Sequence, residues 1–149
     1  MIRVACLVAC VFLTAGCATP TRSWPDQDRG LVWTAMVAAA GSPEYVSDDP
    51  RRRWIVAENN VDADPDLGRI QVHRVLTRSL QLPRQVLQRD RRRLFFDIYL
   101  LPTDPPTVTF AFKETGLIPV RVIDEADRYF SLVESILHNP IRYSNFFTN

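Results

Sequence analysis

Cysteine is confined to the first 17 of the 149 residues, as Cys6, Cys10 and Cys17. The rest of the chain therefore has no disulfide, thiolate nucleophile or zinc–thiolate site. Histidine is nearly as scarce: His73 lies in a strand-like run and His138 at the end of a helix-like one, and no spacing brings them together. A serine-hydrolase elbow of the Gly-x-Ser-x-Gly kind is absent, and the five scattered glycines cannot form a phosphate-cradling loop. Asp62-Ala63-Asp64-Pro65-Asp66 opens like a calcium loop. However, Leu67 and His73 occupy the places where that loop needs glycine and glutamate, so the run reads as an acidic turn. No cofactor or metal is expected. Long apolar runs are missing too. The longest, Val4 to Leu13, covers about 15 Å as a helix, against about 30 Å of bilayer core.

That short run nevertheless has a clear use. Arg3 precedes it and Thr14-Ala15-Gly16-Cys17 follows it: a basic start, an apolar stretch and small residues before a cut site, the parts of a secretion signal. Ala15-Gly16-Cys17 resembles the lipobox of bacterial lipoproteins, with Thr14 where an aliphatic residue is usual. Cys10 has a similar setting but leaves too short an apolar run before it. The resemblance covers only the signal. It implies removal of residues 1–16, lipidation at Cys17, and a membrane anchor made lasting by more than one acyl chain. With Ala18 rather than Asp after the cysteine, it also implies the outer membrane, with the domain in or facing the periplasm.

The remaining 133 residues suit one domain with its own core. Arg3 is the only charged residue removed, so 17 basic residues face 17 acidic ones. That balance argues against nucleic acid as a partner. Lys113 is the sole lysine, and this arginine bias is what a GC-rich coding sequence would produce. Residues 17–25 read as the lipidated cysteine and a short tether, of which Ala18 to Pro25 reach at most about 28 Å.

Periodicity gives the order α-β-β-β-β-α for residues 26–139. Asp26 or Asp28 can cap a first helix ending near Gly41, with Leu31, Val32, Ala35, Met36 and Ala39 on one face. Strand-like runs follow at Arg53–Glu58, Arg69–Thr77, Arg93–Leu101 and Thr107–Lys113. The apolar parity of the second slips between Val72 and Val75, which suggests a bulge. Leu80 to Arg92 reads as a polar connection holding a helical turn. Asp124 is the expected cap of the last helix, which stops at Asn139-Pro140. Short connections favour a four-stranded antiparallel meander with both helices on one face, an α+β domain. Phe96, Ile98, Phe110, Phe130 and Val133 are the expected core. Residues 140–149, carrying Tyr143, Phe146 and Phe147, form an aromatic tail expected to dock or to add a short strand.

In such a meander the first and third strands start at the same end. Arg51, Arg52 and Arg53 precede the first, and Arg89, Arg91, Arg92 and Arg93 precede the third. These form the candidate basic interaction face, with Arg78 and Arg84 near by. Asp62, Asp64, Asp66 and Asp104 are expected at the opposite end. Paired carboxylates for glycoside chemistry cannot be assigned among Glu58, Asp97 and Glu114. The reading is a membrane-anchored, non-catalytic binding or structural module, with a protein or an anionic envelope component as its partner. The alternative is a small periplasmic hydrolase or ligand-binding domain using Glu58, Asp97 or His73 in a cleft.

Overall fold

A computed structural model describes residues 19–49, 53–80, 83–84, 86–113 and 119–139. The chain runs through β1 (Thr21–Ser23), α1 (Arg29–Gly41), β2 (Ile55–Asp64), β3 (Arg69–Leu80), β4 (Gln88–Leu101), β5 (Thr107–Phe112) and α2 (Pro119–His138). All strand pairs are antiparallel, in the order β1-β5-β4-β3-β2. The architecture is α+β, as expected, but the sheet has five strands rather than four.

The additional strand lies in the stretch read as a tether. Thr21-Arg22-Ser23 has no apolar alternation to announce it. It forms on the edge of β5, and Trp24 behind it is buried with its ring 6.1 Å from that of Phe130. Because β1 and β2 lie at opposite edges, α1 carries the chain from one side of the sheet to the other. Asp28 caps α1, its carboxylate accepting from Gly30 N at 2.8 Å and Leu31 N at 3.2 Å.

Three further expectations are corrected. The register irregularity lies in β2, between Val56 and Glu58, and not in β3. The parity slip at Val75 instead reflects a buried apolar residue outside the main core cluster. The polar connection after β3 is strand at both ends: β3 extends to Leu80 and β4 begins at Gln88, with Arg78 ion-paired to Asp90 directly across. Finally, α2 starts at Pro119, so Asp124 lies inside it and does not cap it. Proline suits a helix start because the missing N–H would have no partner there. The aromatic tail and Glu114 lie outside the described residues.

Side chains from α1, α2 and one face of the sheet share a single core. Val32, Met36, Ile70, Phe96, Ile98, Phe110, Phe130 and Val133 are all buried in it. Phe96 stacks on Phe110 at 4.6 Å, and Tyr129 Oη donates to Met36 O at 2.9 Å, joining the two helices. Among the described residues no helix is long and apolar enough to cross a membrane.

Candidate functional site

Strand register sets the charge layout. Ile55 faces Thr77, which faces Arg91, while Arg78 faces Asp90 and Ser79 faces Arg89. Arg53, Arg78, Arg89 and Arg91–Arg93 therefore share one end of the sheet. Arg51 and Arg52 lie outside the described residues. At the other end Asp64 faces Arg69, which faces Tyr99. Asp62 precedes that turn, Asp66 lies in it, and Asp104 is in the β4–β5 connection. Arg29 and Arg69 are basic residues within this acidic end, and Arg29 donates to the carbonyls of Leu100 and Leu101.

Alternation along β4 splits the basic face in two. Arg92 shares the helix-covered side with Leu94 and Phe96, whereas Arg89, Arg91 and Arg93 fall on the other with Phe95. Arg91 is held by Glu58 at 2.9 Å, and Arg53 Nε donates to Ser47 O at 3.0 Å.

On the helix-covered side, the arginine end opens into a cleft of about 670 Å³. β3 and β4 supply Leu76, Arg78, Arg92, Arg93 and Leu94, and β5 supplies Phe112. The first turns of α2 add Arg121, Asp124, Glu125, Asp127 and Arg128, while Tyr45 and Trp54 come from the segment joining α1 to β2. The back wall is a buried polar network. Arg74 donates to Glu125 Oε1 at 3.1 Å, Tyr45 Oη at 2.9 Å, Asn59 Oδ1 at 2.9 Å and Ala40 O at 3.0 Å. Tyr45 Oη donates to Glu125 Oε1, and Arg128 reaches Oε2 at 2.9 Å. Burial and the Glu125 charge push the Tyr45 phenol well above its ordinary range, against the opposing pull of Arg74.

The front of the cleft is organised differently. The guanidiniums of Arg92 and Arg78 both lie over the Trp54 ring, at 4.1 and 4.6 Å from its centroid. Arg78 is ion-paired with Asp90. Arg92 makes no hydrogen bond or ion pair with a described residue. Its pKa is lowered by burial first, then by the charges of Arg121 and Arg78, with Asp90 partly offsetting them.

The opposite face of the sheet holds His73 and Asp97 beside a smaller recess of about 310 Å³. Asp97 is 3% exposed and already engaged: Lys113 Nζ lies at 3.0 Å, Tyr99 Oη donates at 2.9 Å and Gln71 Nε2 at 3.3 Å. His73 stacks on Phe95 at 4.2 Å, and its Nε2 has no hydrogen-bond partner among the described residues. Glu58 does not line this recess, so the three residues of the hydrolase alternative are not brought together. His138 Nδ1 lies 2.8 Å from Glu134 O, one helical turn back. Cys17 is outside the described residues.

Sequence reading picked out Arg92 but not Tyr45, Trp54, Arg74, Arg121 or Glu125 as its neighbours. The one available signal was Arg74 amid the apolar positions of β3: a charge in a core strand requires a buried partner. No protein-family model, curated protein or solved structure matches the chain.

Proposed function

We propose that this chain is a lipid-anchored, non-catalytic binding module of the bacterial cell envelope, which engages an anionic partner through the arginine end of its sheet. Removal of residues 1–16 and lipidation of Cys17 rest on the Ala15-Gly16-Cys17 signal, and an outer-membrane location rests on Ala18. The observation carrying the binding role is the segregation of charge: a body with no net charge has Arg53, Arg78, Arg89 and Arg91–Arg93 at one end and Asp62, Asp64, Asp66 and Asp104 at the other. Such a distribution orients a domain in the field of an anionic surface.

The direction of β1 supports the same reading. Thr21 pairs with Thr109 and Ser23 with Thr107, so the chain backs out of the sheet toward the arginine end. Cys17 is two residues before Thr19, a reach of at most about 7 Å.

Two measurements test the proposal. The mass of the mature N-terminus should match an acylated Cys17, and a free cysteine there would end the anchoring claim. Reversing Arg89 and Arg91 to glutamate should weaken association with anionic vesicles, with a loss that shrinks as salt rises. Equal binding by both proteins would overturn the basic-end assignment.

A further inference from the structure

The cleft at the arginine end has a chemistry that general attraction to a charged surface does not require. The side chains of Arg78, Arg92 and Arg121 line it together, and the guanidiniums of the first two lie over the Trp54 ring. Holding like charges together costs free energy, and among the described residues Asp90 is a carboxylate partner for Arg78 while Arg92 and Arg121 have none. A bound anion would remove the repulsion. Beneath the arginines, Leu76, Leu94 and Phe112 form an apolar floor. The volume, about 670 Å³, lies within the ordinary range for small-molecule sites.

We infer that this cleft is a binding site for the phosphate ester of a polyol carrying an apolar chain, the chemistry of a glycerophospholipid head group. Phosphate fits better than carboxylate because its oxygens are spread tetrahedrally and can face several guanidinium forks at once, while even a diester keeps one full negative charge. The polyol follows from Asp124 and Asp127, which line the same cleft and make no ion pair with a described residue. Carboxylates there repel a second phosphate but accept hydrogen bonds from hydroxyls beside the first. The apolar chain follows from the floor. The inference rests on the proposed envelope-facing orientation for its source of ligand, but the cleft and the exposed arginines can be tested separately.

The test uses the intact lipoprotein in nanodiscs of neutral phosphatidylcholine. Trp54 fluorescence is followed with Trp24 and Trp33 replaced by phenylalanine. Inorganic phosphate, glycerol phosphate and phosphatidylglycerol doped into the disc are compared as probes. The expected result is a saturable change whose affinity rises in that order, with one phosphatidylglycerol per protein. Saturation by glycerol phosphate with no gain from the doped lipid would support the phosphate and polyol contacts but overturn the apolar-chain assignment.

Arg92→Gln should weaken binding at least about tenfold. This matches the 1.5–3 kcal/mol typical of a hydrogen bond to a charged group, at 1.4 kcal/mol per factor of ten. Arg121→Gln, at an exposed helix position with no described partner, should do the same and serves if the first variant is unstable. Arg89→Glu with Arg91→Glu should leave this saturation intact while reducing vesicle association. A response that is unsaturable, or unchanged in both Arg92→Gln and Arg121→Gln, would overturn the site even if the charged end still binds vesicles.

Discussion

Arg74 is 3% exposed and faces Glu125 at 6%, which makes their ion pair a liability as much as a support. Burying both charges costs several kcal/mol each, and four acceptors on one guanidinium offset that cost. Removing one partner strands the other. Arg74→Met should therefore cost about 3–5 kcal/mol in urea denaturation, while Arg74→Met with Glu125→Met should cost much less. If the double variant is as unstable as the single, the pair is not an isolated unit. Tyr45 and Tyr129 make a second prediction. Burial raises both phenols above their ordinary value near 10. Below that pH both the folded and unfolded chains keep these protons. Above it the unfolded chain releases them first, so stability falls as pH rises. The denaturation midpoint should drop from about pH 9 to pH 11. Tyr45→Phe with Tyr129→Phe should flatten that drop while lowering the starting value through the lost Glu125 and Met36 hydrogen bonds. A slope unchanged by the double variant would assign the alkaline loss to other groups.

At the scale of elements, two glycines show how a turn and a helix end differ. Gly68 follows the acidic turn at φ +60, and a Cβ there would meet Leu100 O at 2.8 Å. Its carbonyl also accepts from Leu100 N at 2.8 Å, tying the β2–β3 turn to the end of β4. Gly68→Ala should therefore lower stability by more than about 1 kcal/mol, through backbone strain and the displaced strand end. Gly41, the last residue of α1, has no positive φ, and a Cβ added to it would meet nothing within 4 Å. Gly41→Ala should be neutral or raise stability by up to about 1 kcal/mol, because alanine loses less backbone entropy in a helix. Thermal denaturation of the two variants in parallel decides the matter, and equal losses would contradict it. The sheet's one crossing connection, α1, depends on the same local chemistry: the Asp28 cap starts it and Arg29 ties that start to the carbonyls of Leu100 and Leu101.

Over the whole molecule, Trp24 and Trp54 mark the two ends of the sheet. Trp24 N donates to Pro106 O at the acidic end, and Trp54 precedes β2 at the arginine end. If the arginine end faces the membrane, brominated lipids in an anionic bilayer should quench Trp54 more strongly than Trp24. Variants retaining one of the two, with Trp33 replaced, separate the signals. Raising the salt should narrow the difference, because screening weakens the field that orients the domain. Stronger quenching of Trp24 would place the acidic end against the lipid and reverse the proposed orientation.

Much of the fold was legible because it is written in local periodicity. The Leu94-Phe96-Ile98-Leu100 alternation, the Asp28 cap and the helical spacing of Ala126, Phe130 and Val133 all point to the core they form. Meander topology also follows from short connections, so the meeting of Arg53 with Arg91–Arg93 was available from strand order alone. Three features were not. Thr21–Ser23 becomes a strand because β5 offers it an unpaired edge, a property of the assembled sheet and not of those three residues. Gln88–Arg92 is strand because Asp90 finds Arg78 across the register, although its charges alone resemble a loop. The cleft joins Tyr45, Trp54, Arg92, Arg121 and Glu125 from segments far apart in the chain. Only packing α2 across the sheet brings them together. Strand parity decided which side of the sheet each arginine takes, and tertiary packing decided that Arg92 meets Trp54 and Arg121 there.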